Sequence, residues 1–141
     1  MAYYECLSNN DQINIGDKFN VSLTGSHNKT TTATVCYIYK GDKTTICLLG
    51  DTSLGTANYD TQCSYAWYYT VNINNKEYTG TCRIPTFAQI YSKCAGYKRS
   101  FDYWTSTRYN SSAAWRVLST GGVNTKGDGP YDTLPFIEIT L

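Results

Sequence analysis

A single histidine, His27, occurs in the 141 residues, and that scarcity removes much enzyme chemistry. Serine and cysteine nucleophiles usually need an adjacent imidazole. His27 sits in the polar run Thr24-Gly25-Ser26-His27-Asn28-Lys29-Thr30, far along the chain from the aromatic motifs nearer the C-terminus. Asp51 and Asp60 could form a carboxylate pair, but nothing in the sequence brings them together. No enzyme is expected. Charge is also sparse: 16% of residues are charged, and the net charge is +1. Without a clustered cationic face, no nucleic-acid partner is expected. No apolar stretch approaches membrane-spanning length, so no membrane insertion is expected. The start, Met1-Ala2-Tyr3-Tyr4-Glu5-Cys6, lacks the basic and apolar regions of a signal peptide, which predicts folding in a cytosol.

No CxxC pair accompanies the six cysteines. With one histidine, a zinc site is not expected, nor any other metal or cofactor. A reducing compartment favours free thiols over disulfides. Cys36, Cys47, Cys82 and Cys94 fall where strands or a helix would bury them as small hydrophobes.

Aromatic rings are plentiful. The 14 Tyr, 4 Phe and 3 Trp make 15% of the chain, and each ring buries a large area. The core is therefore expected to be built from rings and β-branched residues. Abundant Ser and Thr favour strands and turns over helices. The length fits one domain.

Residues 1–33 are rich in Asn, Thr, Ser and Asp, with one strand expected near 18–23. They read as an N-terminal segment serving as an anchor, an oligomer contact or an edge strand. Residues 34–141 read as the domain proper. Residues 34–40 and 43–49 flank Gly41-Asp42, a hairpin with a two-residue turn. Residues 54–62 read as a loop, 64–72 as an aromatic-rich strand, and Asn74-Asn75 as a turn. The one clear helix is expected at about 86–95. Thr86 is its N-cap, Gln89 completes a capping box, and Lys93 lies in its last turn. Phe87, Ile90, Tyr91 and Cys94 make its apolar stripe, and Gly96 is placed to end it. Short strands follow at 103–106, 113–118, near Val123 and at 134–139. Residues 125–132 read as an exposed loop. No internal repeat occurs. The expected fold class is α+β, mostly short antiparallel strands with one short helix and long loops.

The order of motifs is distinctive. Gly80-Thr81-Cys82-Arg83-Ile84-Pro85-Thr86 leads into the helix. Tyr103-Trp104-Thr105-Ser106-Thr107, Ala114-Trp115-Arg116-Val117, Gly121-Gly122-Val123 and Pro135-Phe136-Ile137 follow in turn. This run resembles the C-type-lectin-like domains of the formylglycine-generating-enzyme-like and "major paralogous" type. It departs from them in carrying Thr81-Cys82 where Trp is usual and in lacking an arginine after Pro135. The resemblance implies a C-type-lectin-like fold with Trp104, Trp115, Tyr103, Val117 and Ile137 in the core. It also implies a binding module of phage fibres or of bacterial surface proteins, such as an adhesin or pilus tip. The oxidising enzymes on that fold use cysteines near the C-terminus, and this chain has none after Cys94. The calcium-binding motifs of sugar-binding lectins are absent too.

The ligand-facing surface is expected on Arg108, Tyr109, Asn110 and Ser111, with Ser112 closing the loop. Tyr supplies rigid contact area there, while Asn and Ser supply adaptable hydrogen bonds. Arg116, Asn124, Lys126 and Asp128 are expected beside them on the same face. The reading that follows is a virion structural protein, a fibre or capsid-decoration module made in the host cytoplasm. Its expected partners are other virion proteins and a host-surface glycan or protein. A homotrimer is the assembly common in fibres, although no coiled-coil heptads demand it.

Overall fold

Period-two burial, a strand's signature, is clearest at Trp67, Tyr69, Val71 and Ile73, which are buried while Tyr68 and Asn72 face solvent. The computed structural model describes residues 12–94, 99–120, 123–126 and 129–141. Among these, strands dominate, with two short helices. The strands are β1 Lys18–Gly25, β2 Lys29–Lys40, β3 Thr44–Gly50, β4 Thr56–Ala57, β5 Trp67–Ile73 and β6 Lys76–Cys82. They continue as β7 Tyr103–Asn110, β8 Ala113–Val117, β9 Val123–Lys126, β10 Tyr131–Asp132 and β11 Phe136–Thr140. The helices are α1 Tyr59–Ser64 and α2 Phe87–Lys93.

Two sheets result. One has six strands in the order β11-β3-β2-β1-β5-β6, and the other has five in the order β4-β10-β7-β8-β9. Every pairing is antiparallel except the single parallel step Asp132↔Tyr103 between β10 and β7. The edges of the larger sheet meet where Arg83, just past β6, bridges Phe136 of β11. The Phe136 amide donates to the Arg83 carbonyl at 3.0 Å. That sheet therefore curls back on itself, which satisfies edge groups that would otherwise template pairing with another chain.

Both faces of β3 are buried, so it reads as a continuous apolar run. Inside the curl lie Val21, Val35, Ile46, Leu48, Trp67 and Ile137. On the other face Cys36, Cys47, Leu49 and Phe136 pack against Ile90, Cys94, Tyr103 and Val117. The second sheet and α2 thus cover one side of the first.

Local chemistry explains the punctuation. Asn74 and Asn75 have φ of 53° and 66°, the two left-handed residues of a hairpin turn matched to strand twist. At α2 the Gln89 amide donates to Thr86 Oγ1 at 3.1 Å, and the Thr86 amide donates to Gln89 Oε1 at 2.9 Å. The capping box is complete as expected.

Other expectations need correction. The strand within residues 1–33 is not an edge: β1 lies between β2 and β5, with Val21 and Leu23 buried. The boundary at 33/34 falls inside β2, so residues 18–33 are built into the larger sheet, while residues 1–11 lie outside the described residues. Its polar residues mislead because they alternate with buried ones. Lys40 pairs with Thr44, which makes the β2–β3 turn three residues, Gly41 to Lys43, not two. The expected loop at 54–62 contains β4 and most of α1. The expected loop at 125–132 contains the end of β9 and all of β10. Of the α2 stripe, Ile90 and Cys94 are buried, whereas Tyr91 is 69% exposed. Gly96 lies outside the described residues.

Candidate functional site

Arg108 lies between two register shifts of β7 against β8, one after Trp104 and one before Asn110, and its position follows from the strand beneath it. Trp104 is wholly buried on β7. The Tyr59 ring meets it edge-on at 5.7 Å, and the Tyr131 ring meets it edge-on at 4.9 Å. An arginine covers each tyrosine. The Arg108 guanidinium lies 4.5 Å from the Tyr59 centroid, and that of Arg116 lies 4.6 Å from the Tyr131 centroid. Each arginine also holds a carboxylate: Arg108 with Asp60 at 2.8 Å, and Arg116 with Asp102 at 3.1 Å. The order Arg108–Tyr59–Trp104–Tyr131–Arg116 therefore runs along one face as a chain of ring and cation–π contacts.

Helix α1 forms the opposing wall. Asn58 caps it by accepting from the Thr61 amide at 2.9 Å. The buried amide of Gln62 donates to the carbonyls of Ala57 at 3.0 Å and Tyr131 at 2.6 Å, clamping α1 to β4 and β10. Tyr59 donates to the Ser106 carbonyl at 2.7 Å. Burial, helped by the nearby Cys63 thiol, pushes its hydroxyl up to about 12, so it remains a donor at neutral pH.

Between the hairpin and α1 lies an open polar cleft of about 420 Å³, lined by Asn58, Tyr59, Asp60, Arg108, Ser111 and Ser112. It offers a guanidinium, a carboxylate, an amide and two serine hydroxyls beside the Tyr59 ring. The Arg108–Asp60 pair is solvent-facing, at 46% and 84% side-chain exposure, so a ligand can open it at little cost. The arrangement suits hydrogen-bonded recognition of a polar ligand.

The structure splits the sequence-predicted site. Arg108 and Ser111 line the cleft. Asn110 accepts from the Ser112 amide at 2.8 Å and shapes the turn. Arg116 shares the ring face, but at 15% side-chain exposure it is tied into packing. The backbone of Asn124 sits opposite Arg116, and exposed Lys126 sits opposite Ala114. Asp128 lies outside the described residues.

Tyr109 belongs elsewhere. Its ring meets Trp115 edge-on at 5.5 Å, Trp115 stacks on Phe87 at 4.5 Å, and Phe87 meets Tyr91 at 5.9 Å. The ends of this row are open, with Tyr109 59% and Tyr91 69% exposed. Trp115 is half-buried in the row, which corrects its expected place in the core. Trp104, Tyr103, Val117 and Ile137 are core as expected.

Asn58, Tyr59 and Asp60 were not legible as site residues, because a six-residue helix shows no apolar stripe. An Asn followed two positions later by an acidic residue, a helix-start pattern, was the available signal. Asp51 and Asp60 take separate partners, Arg99 and Arg108. Among the described residues, no group of three or more His, Cys, Asp or Glu is placed to hold a metal.

No family model, curated protein or solved structure matches this chain. Among the described residues, three larger clefts, of about 520, 500 and 430 Å³, contain none of the sequence-predicted site residues.

Proposed function

We propose that this chain is a non-enzymatic binding module whose ligand-facing surface is the cleft between the β7–β8 hairpin and α1. The observation that carries the reading is Arg108. It is held over Tyr59 by a cation–π contact, yet its ion-pair partner among the described residues is a carboxylate that faces solvent. Such a guanidinium is positioned in advance but not committed, so binding loses little side-chain entropy.

The finer reading is a C-type-lectin-like domain of a virion fibre or capsid-decoration protein. It binds a host-surface glycan or protein or a neighbouring virion protein, and assembles as a homo-oligomer. Its support is the motif run from Arg83 to Pro135 and the order in which α2, β7, β8 and β9 follow one another.

The test measures binding of purified protein to intact candidate host cells and to virion proteins, with its oligomeric state read by light scattering. The Arg108→Ala protein is compared in parallel. Wild type is expected to associate with itself and to bind, with about tenfold weaker binding by the variant, or ~1.4 kcal/mol. The variant's melting temperature should hardly change, since an exposed ion pair contributes little. A monomer that binds neither target overturns the virion reading. Equal binding by wild type and Arg108→Ala overturns the cleft.

A further inference from the structure

The strand β2 breaks register at one point. Val35 pairs with Leu48 and Tyr37 with Cys47, so Cys36 is the extra residue of a β-bulge. A bulge bends its strand and re-aims a side chain. Here it turns the Cys36 thiol toward the covering layer, where Cys94 follows the last turn of α2. The two sulfurs lie 3.0 Å apart. That is about 1 Å longer than a formed disulfide bond. Both residues are buried, Cys36 at 6% and Cys94 at 1% exposure, with Leu49, Tyr103 and Phe136 in the same apolar cluster.

We propose that Cys36 and Cys94 are a disulfide-forming pair, closed by exchange with a low-molecular-weight disulfide. The link joins the central strand β2 to the C-terminal end of α2. In the first step the Cys36 thiolate attacks one sulfur of the small disulfide. It forms a mixed disulfide and expels one thiolate, which takes up the Cys36 proton. In the second, the Cys94 thiolate attacks Cys36 Sγ and expels the second small thiolate, which takes up the Cys94 proton. Two protein thiols are oxidised to one disulfide, and one small disulfide is reduced to two thiols.

The surroundings suit these roles. The hydrogen bond from Cys94 holds the Cys36 thiol below its ordinary value against the opposing effect of burial, and the charges of Arg99 and Lys93 act in the same direction. The same hydrogen bond, with burial, raises Cys94. Cys36 is therefore the attacking sulfur and Cys94 the resolving one. Cys47 is close by, but burial and then Glu138 push its thiol up to about 12, which leaves it a poor competitor. The route of access in this proposal is local opening at the end of α2, which Cys94 directly follows. A helix of seven residues has little stability of its own, so that opening is a low-cost local event.

The experiment incubates reduced, folded protein with oxidised glutathione, caps the remaining thiols and maps peptides without reduction. Expected are a cross-linked Cys36–Cys94 peptide pair and four capped cysteines, six less the two joined. The linked protein should melt roughly 10 °C higher than the reduced protein, because the bond closes a long loop. Cys36→Ala and Cys94→Ala should each lose that oxidant-dependent shift. Six capped thiols, a pairing that leaves out either residue, or a linked protein with an unchanged melting temperature each overturns the proposal. The peptide map reads wild type alone, so it decides the matter even if a variant fails to fold.

Discussion

The indole of Trp67 donates from Nε1 to Nδ1 of His27 across 3.1 Å. The only histidine of the chain is thus an acceptor held by a core tryptophan, which requires the neutral ring. Tyr65 meets the imidazole edge-on at 4.7 Å.

A pH dependence follows from that bond. Burial, and then the charge of Lys29, lowers the His27 value in the folded protein. The unfolded chain binds the proton more readily, with an ordinary value of about 6.5. The stability His27 contributes is therefore complete above that pH and is lost as pH falls through the lowered folded value. Urea midpoints measured between pH 7.5 and 5 should fall for wild type. They should stay flatter for His27→Gln, which retains an acceptor but does not titrate.

A second electrostatic prediction concerns Asp51. Its carboxylate accepts from Thr34 and Thr32, and pairs with Lys18 at 3.0 Å and Arg99 at 3.3 Å. Burial raises its value, but the Thr34, Lys18 and Thr32 hydrogen bonds outweigh burial and leave it below the ordinary carboxylate value. Asp51→Asn should cost about 2 kcal/mol at pH 7, since Arg99 and Lys18 lose the carboxylate they share. The contribution is full above about pH 3.9 and lost as pH falls through the lowered folded value. Denaturant curves of the two proteins should therefore converge in acid; a gap that stays constant would contradict the ion-pair account.

The two tryptophans of the second sheet should behave differently. Trp104→Ala removes a wholly buried ring with aromatic neighbours on two sides and should cost about 3–5 kcal/mol. Trp115→Ala removes a half-buried ring and should cost about 1–2 kcal/mol. Acrylamide quenching provides a second readout. Emission lost in Trp115→Phe should be the more quenchable part, and emission lost in Trp104→Phe the protected part.

The β5–β6 turn offers a stabilising change. Asn75 has φ of 66°, where glycine is unstrained and a β-branched residue is not. Asn75→Gly should gain about 0.5 kcal/mol, and Asn75→Val should lose about 1–2 kcal/mol. Both should shift the urea midpoint without changing its slope.

Local signals were legible in the chain because their physics is local. The Thr86–Gln89 box and the Asn74-Asn75 turn each depend on residues within a turn, whereas the core places of Trp104, Val117 and Ile137 were expected from the resemblance of the motif run. The mainly antiparallel strand character likewise followed from composition and alternation. Other placements depended on contacts distant in sequence. Polar alternation in β1 hid an interior strand, because its neighbours β2 and β5 decide what it faces. Trp115 and Tyr91 resemble core residues in their own segments, but the surface on which Phe87 settles leaves them half-buried and exposed. Helix α1 is too short to announce itself and depends on the Gln62 clamp to Tyr131, 69 residues away. The cleft and the Cys36–Cys94 pair exist only because a hairpin meets α1 and a bulge meets the end of α2. Sequence determined most of the longer strands, the α2 capping box and the β5–β6 turn, since those are set by neighbouring residues. Tertiary structure decided which side chains face a ligand or each other, since that depends on how the two sheets pack.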